Sequence, residues 1–184
     1  MKTALTALLT ICLCLPLMGD DAAKKKFEET KALAEKGDAS AQEALGFMYF
    51  SGEGVPKSHR EAARWYRKAA IQGNAKAQSN LGSMYANGEG VLEDDKEAAK
   101  WYRKAADKGH VMAQYELGVL HLHGKGVKLD AITAFIWLNI AGANGSRIAA
   151  EALGKFPERL TNDQISKADA LAREMIKKNP KLLK

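Results

Sequence analysis

Apolar and small residues recur along the chain at the spacing of helix faces. In one stretch Ala41, Leu45 and Met48 stand three or four positions apart, and in the next Ala62, Trp65 and Ala69 do the same. Polar residues fill the positions between them. A period near 3.6 residues is typical of an amphipathic helix. The pattern therefore predicts helices that come in consecutive pairs, with no strand between them.

Turn and capping residues stand where these helices should begin and end. Gly52 follows the first helix and Gly73 the second, and glycine readily takes the left-handed conformation that closes a helix. Ser58 precedes the second helix and has capping-box spacing to Glu61. Asp94 and Asp130 occupy the same register further along.

The helix pair is repeated with a fixed period of 36 residues. Positions that coincide at this shift include Gly37, Gly73, Gly109 and Gly145, the Leu-Gly pairs at Leu45, Leu81, Leu117 and Leu153, and Trp65, Trp101 and Trp137. Such a period is typical of a repeat array. We predict a cap helix over 24–36, repeats over 37–72, 73–108 and 109–144, and a truncated fourth unit with a capping helix over 145–178. The tryptophans are expected to be core.

Glycines also recur inside the predicted first helices, at Gly46, Gly82 and Gly118. Each costs about 1 kcal/mol relative to alanine in a helix interior. Because the chain repeats this cost, we expect the paired helices to approach each other closely there.

The recurring text, for example "GDASAQEALGFMYFSGEGV" followed by "EAARWYRKAA", resembles the Sel-one-like repeat, a relative of the tetratricopeptide repeat. The resemblance covers 37–145 and is weaker in the third repeat, where His121 replaces the tyrosine of Tyr49 and Tyr85. It implies an all-α fold, an α-solenoid of paired antiparallel helices. It also implies a protein-binding scaffold, often exported in bacteria, and no chemistry.

The third repeat loses the charges of the first two. Its second helix carries Phe135, Ile136, Leu138 and Ile140, which need cover from another element. A helix over 162–178 can provide it, since Thr161 and Gln164 have capping-box spacing. Its apolar stripe consists of Ile165, Ala168, Ala172, Met175 and Ile176.

The first residues have the features of an export signal. Lys2 precedes an uncharged run from Thr3 to Met18, shorter than the roughly 20 apolar residues of a spanning helix. We predict a signal peptide over 1–19 cleaved after Gly19, or alternatively after Ala22 or Ala23. Lipid attachment at Cys12 or Cys14 is a secondary interpretation. The mature chain is then expected to be periplasmic or secreted and to contain no cysteine.

The sequence contains no recognisable catalytic or cofactor motif. Of the histidines His59, His110, His121 and His123, the last two are two positions apart near a helix end and have no acidic or cysteine partner nearby. The "GEGV" and "GKGV" segments follow helices rather than strands and lack the Lys-Ser/Thr pair of a nucleotide-binding loop. We therefore predict no enzyme, no metal and no cofactor.

The chain carries a formal net charge of +6, and much of it lies on the second helices. The basic residues there are Arg60, Arg64, Arg67, Lys68, Lys100, Arg103, Lys104 and Lys108. They are interpreted as a solvated face, with weak contact to an acidic membrane or cell-wall surface as the alternative. Export argues against nucleic acid as a partner.

The candidate partner-binding site is the variable face of the first helices. Residues that change between repeats while their neighbours recur are free to recognise a partner, and exposed aromatic residues are typical of such surfaces. The predicted groove comprises Glu43, Phe47, Phe50, Ser79, Ser83, Ala86, Tyr115, Val119 and Leu122. Packing within the array is the other interpretation of these positions.

The pattern favours a non-enzymatic periplasmic or secreted adaptor for a protein or peptide partner whose identity it leaves open. A cell-wall-related enzyme is the first alternative, since a cysteine-rich exported branch of the family is associated with β-lactam hydrolysis. A periplasmic regulator of a membrane sensor is the second.

Overall fold

The computed structural model describes residues 21–154, 156 and 160–183. The predicted signal peptide over 1–19 lies outside these residues. The described elements are α1 over 21–35, α2 Ala39–Ser51, α3 His59–Ile71, α4 Ala75–Asn87, α5 Asp95–Ala106, α6 Val111–His123, α7 Ala131–Ala143, α8 Arg147–Leu153, α9 Asn162–Lys178 and a short 3-10 helix Pro180–Leu182. Helices α2 and α3, α4 and α5, and α6 and α7 pack as pairs, and each pair packs on the next. The predicted all-α solenoid is confirmed.

Helix boundaries follow the capping residues. Ser58, Asp94 and Asp130 begin the second helices, and each side chain accepts a hydrogen bond from a backbone N–H of the first turn. The first helices end at Gly52, Gly88 and Gly124 in the left-handed conformation. At the start of α9, Thr161 and Gln164 form the predicted capping box.

A buried glutamine ties each first helix to the preceding second helix. Gln42 Nε2 donates to the carbonyl of Ala34 at 3.1 Å, and Gln78 Nε2 donates to Ala70 at 2.9 Å. Gln114 Nε2 donates to both Ala106, at 3.2 Å, and Leu182, at 2.9 Å. Gln114 therefore also holds the C-terminal segment, through its hydrogen bond to Leu182. These glutamines were not predicted to be structural, although they recur every 36 residues.

Helix α1 covers the first repeat in the way that a second helix covers the next unit. Its Phe27 and Ala34 are buried with Leu45, Met48 and Trp65 of repeat 1. The Phe27 ring meets Tyr49 edge-on, with ring centroids 5.5 Å apart.

At the other end, α9 packs on α7, and α8 packs on α7 as well. Ala168 and Ala172 of α9 are buried against the apolar face of α7 that includes Ile136 and Ile140. The predicted cover over the third repeat is thus present.

The structure corrects the expectation for one of the three tryptophans. Trp65 and Trp137 are buried, but Trp101 is only partly buried. A cavity of about 480 Å³ between α3 and α5, with Ile71 and Gln78 in its lining, leaves part of the Trp101 ring uncovered. The Lys104 ammonium lies over this ring, 4.1 Å from its centroid.

Candidate protein-binding surface

The first-helix face contains a cavity of about 120 Å³ at the junction of the first two repeats. Helices α2 and α4 form its walls and α3 its base. Its lining residues are Phe47, Phe50, Tyr66, Asn80, Ser83, Met84 and Glu89. We call this the junction cavity. Its lining is mostly apolar with a few polar groups, which is the composition of small recognition pockets in proteins.

Two phenylalanines of α2 form the aromatic wall of the junction cavity. The Phe47 side chain is 46% exposed, and the Lys76 ammonium lies 6.0 Å from its ring centroid. Phe50 stacks on His59, with ring centroids 5.0 Å apart and an interplanar angle of 11°. Phe50 is therefore held in place, whereas Phe47 presents apolar area to solvent.

A polar group lies beneath this wall. Glu43 is buried, and its Oε1 forms an ion pair with Lys76 Nζ at 3.0 Å and accepts a hydrogen bond from Asn80 Nδ2 at 3.5 Å. Asn80 also hydrogen-bonds the Tyr66 hydroxyl, but burial and then the Glu43 charge raise the pKa of Tyr66 well above its usual range. Tyr66 consequently stays a neutral hydroxyl that can donate a hydrogen bond.

A related arrangement occurs one repeat further along. Burial, with a smaller contribution from the Glu116 charge, raises the pKa of Tyr102, whose hydroxyl is hydrogen-bonded by Ser83. Burial also raises the pKa of the Glu116 carboxyl. Glu116 has the register of Asn80, so each junction places a different polar residue beside a recurring tyrosine.

The structure brings together part of the predicted groove. Phe47, Phe50 and Ser83 line the junction cavity, and Glu43 accepts a hydrogen bond from Asn80 of its lining. Ser79 is buried, and Val119 is partly buried. Ala86, Tyr115 and Leu122, the remaining three residues, pack against the core formed by α5, α6, α7, α8 and α9. Tyr66, Asn80, Met84 and Glu89 were not predicted. Tyr66 recurs 36 residues later as Tyr102.

The second-helix face carries two further cavities that are related by the 36-residue period. The first, of about 340 Å³, is lined by Arg60, Ala63, Arg64, Arg67, Lys68, Ile71, Gly90 and Val91. The second, of about 660 Å³, is lined by Lys96, Glu97, Ala99, Lys100, Trp101, Arg103, Lys104, Leu117, His121, Gly126 and Val127. We call them the basic cavities. Each contains four basic side chains at identical registers.

Over 21–154, 156 and 160–183, no three histidine, cysteine, aspartate or glutamate side chains are grouped as metal ligands. Within the same residues, no helix has the length and apolar character needed to cross a membrane.

Comparison with known proteins gives one family and several related structures. The Sel1 repeat model matches residues 39–74, 75–110 and 111–146, two residues after the predicted boundaries. No curated protein matches the chain in sequence.

The solved structures that resemble the chain include the following three. A protective antigen of uropathogenic Escherichia coli, described as displaying an SLR fold, is 35% identical over 85% of this chain with a TM-score of 0.77, and the chain spans only 34% of it. A Sel1 repeat protein from Oxalobacter formigenes is 39% identical over 71% of this chain and 98% of its own, with a TM-score of 0.65. Cysteine rich protein B of Helicobacter pylori shares the fold, with a TM-score of 0.59. It is 24% identical over 71% of this chain and 96% of its own.

Proposed function

The chain belongs to the Sel1 repeat family, whose fold is a protein-interaction scaffold, and from that premise we propose that it is an exported, non-enzymatic adaptor that binds an extended segment of a protein partner. The binding site is the junction cavity and the first-helix face around it. The observation that carries this proposal is the exposed Phe47 ring beside a polar group formed by the buried Glu43 and Tyr66 and the partly buried Asn80.

The chemistry of the junction cavity fits a peptide. Phe47 and Phe50 offer apolar contact to one side chain of the partner. Asn80 and Ser83 can donate to and accept from the peptide main chain, since amide and hydroxyl groups do both. An apolar anchor combined with main-chain hydrogen bonds is how extended segments are commonly recognised. A volume of about 120 Å³ accepts one side chain rather than a folded domain.

Selection from a peptide library displayed on phage tests this proposal. Peptides enriched on the wild-type protein should bind Phe47→Ala at least roughly 30-fold more weakly, because aromatic anchors commonly contribute about 2 kcal/mol or more. Leu92→Ala is the matched control, since Leu92 is 91% exposed and lies in no cavity lining described above. Equal binding of selected peptides to both variants would contradict the proposal.

The export part of the proposal rests on the composition of residues 1–19 and has its own test. N-terminal sequencing of the protein purified from cells should begin at Asp20 or within a few residues. An intact Met1 on the protein recovered from cytoplasm would overturn it. Hydrolysis of nitrocefin by the purified protein would favour the enzyme alternative instead.

A further inference from the structure

The third repeat has a surface that corresponds to the basic cavities of the first two repeats. In the third repeat this surface is covered by another helix, α9. The registers of their four basic residues correspond in α7 to Ile132, Ile136, Asn139 and Ile140. Ile136 and Ile140 are buried beneath α9, and Asn139 Nδ2 donates a hydrogen bond of 2.5 Å to Asp169 Oδ1. At this position of the repeat, the surface of the second helix therefore accepts another helix.

In repeats 1 and 2 the same surface is open and positively charged. The lining of the first basic cavity includes Arg60, Arg64, Arg67 and Lys68 and no acidic side chain. Its floor is apolar, since Ala63 is buried and Val91 partly buried, and Ile71 is 72% exposed at its edge. A ligand for this surface needs an apolar stripe flanked by negative charge.

Some of the basic groups have local partners and others do not. Arg64 Nη1 lies 3.4 Å from Glu61, and Lys100 Nζ lies 2.5 Å from Glu97. In the part of the chain that the structure describes, Arg60 and Lys96 make no ion pair of 4.0 Å or less. Exposed ion pairs along one helix are weak and screened by salt, so a ligand carboxylate can compete with them.

We propose that the basic cavities are a docking surface for an acidic amphipathic helix of a protein partner. The occupied counterpart under α9 gives the geometry, a helix lying along the second helix of a repeat. The charges give the chemistry, with glutamate or aspartate side chains flanking an apolar stripe. No residue lines both the junction cavity and a basic cavity, so the proposal does not depend on peptide binding at the junction cavity.

Fluorescence anisotropy with a defined probe tests the proposal on the full chain. The probe is a fluorescein-labelled peptide of leucine, alanine and glutamate, about 18 residues or five helical turns long, with its leucines on one helical face. A second peptide of the same charge carries two central prolines, which prevent a continuous helix. The helical peptide should bind, with affinity that falls as salt is raised, and the proline peptide should bind at least roughly tenfold more weakly.

Two matched variants assign the surface. The combined Arg60→Gln, Arg64→Gln, Lys96→Gln and Lys100→Gln variant should lose at least roughly tenfold in affinity. Lys36→Gln, Lys167→Gln, Lys177→Gln and Lys181→Gln together remove the same charge from exposed positions outside the basic cavities and should bind like wild type. Circular dichroism melts verify that both variants are folded.

The proposal is overturned by equal binding of the two peptides, by equal loss in the two variants, or by binding to phosphatidylglycerol vesicles without binding to the helical peptide. The last result would indicate a membrane surface instead. Phe47→Ala should bind the helical peptide like wild type, so failure here and failure at the junction cavity are distinguishable.

Discussion

At the scale of single residues, three glycines set the distance between the helices of each pair. A Cβ added at Gly46 would lie 2.6 Å from Tyr66 Cδ1, one at Gly82 would lie 2.9 Å from Tyr102 Cδ1, and one at Gly118 would lie 2.8 Å from Leu138 Cγ. The expected close approach is confirmed in all three repeats. It persists in the third, where leucine takes the place of tyrosine.

Replacing one of these glycines should separate the helices of its pair. Gly82→Ala is expected to destabilise the fold by about 1–3 kcal/mol, since overpacking of the Tyr102 ring outweighs the gain in helix propensity. Gly142→Ala is the control, because its Cβ would meet its nearest neighbour, Leu153, at an ordinary 3.7 Å. Urea unfolding should show Gly142→Ala unchanged or up to about 1 kcal/mol more stable. Equal stability of Gly82→Ala and wild type would show that the Tyr102 ring moves freely.

Glu116 makes stability depend on pH. Burial raises the pKa of its carboxyl above the usual 4.5, so the folded chain binds more protons than the unfolded chain between 4.5 and the raised value. The stability that Glu116 provides is complete below 4.5 and is lost as the pH rises through the raised value.

Glu116→Gln should therefore melt at a higher temperature than wild type at neutral pH, because it removes a partly buried charge. The difference should shrink as the pH falls through the raised pKa of Glu116, because the wild-type carboxyl is then increasingly protonated. Thermal melts across this range measure it. Glu35→Gln, at an exposed position of α1, serves as control. A difference that does not vary with pH would assign the effect of Glu116→Gln to packing.

At the scale of elements, α9 replaces the neighbour that the third repeat lacks. Ala168 is fully buried against α7, while Lys167 beside it is exposed. The Phe156 ring, which precedes α9, meets Phe135 edge-on with centroids 5.4 Å apart. The C-terminal segment is held further by Asn179, whose Nδ2 donates to the carbonyl of Asp107 at 2.8 Å.

A charge placed under α9 should undock it. Ala168→Glu is expected to cost at least about 2 kcal/mol, because the carboxylate would be buried without a partner. Lys167→Glu, one position away on the solvent side, should have little effect. Truncation after Phe156 should act in the same direction and cause aggregation, since Ile136 and Ile140 become exposed. Thermal melts with light scattering measure stability and aggregation. An unchanged melting temperature for Ala168→Glu would mean that docking of α9 is not required for the stability of the fold.

The sequence predicted the helices well because their signals are local. Caps such as Ser58 and the left-handed Gly52 are set by a few neighbouring residues. The same capping signals recur every 36 residues. The cap helix was expected over 24–36 and includes 21–35.

Contacts between elements were harder to predict. Glu43 was expected on an open groove, yet Lys76 and Asn80 of the next repeat cover it. The partial exposure of Trp101 depends on a gap between α3 and α5, which no single helix pattern contains.

At the scale of the whole molecule, buried contacts are distributed unevenly along the array. The C-terminal core joins α5, α6, α7, α8 and α9 in one cluster, whereas α1, α2 and Trp65 form a small cluster of their own. Repeat proteins unfold approximately by units, and units with fewer buried contacts open first.

Hydrogen exchange should reveal this difference. Backbone amides of α1 and α2 are expected to exchange faster than those of α6 and α7 in native buffer. Mass spectrometry of peptic fragments measures the exchange rate of each helix. Ala168→Glu should reduce the difference in exchange rate between the two ends of the array, because it loosens the C-terminal end. Uniform protection from α1 to α9 would show that the array opens as a single unit.

The apolar registers of α7 also restrict how an array of this kind can lengthen by duplication. A copy of residues 75–110 inserted before Val111 would bring its own basic second helix and meet neighbours like those it already has. A copy added after α7 would separate Ile136 and Ile140 from α9 and set a charged helix against them. Growth is therefore favoured upstream of the third repeat, and the C-terminal end of the chain stays the same while its interior changes in length.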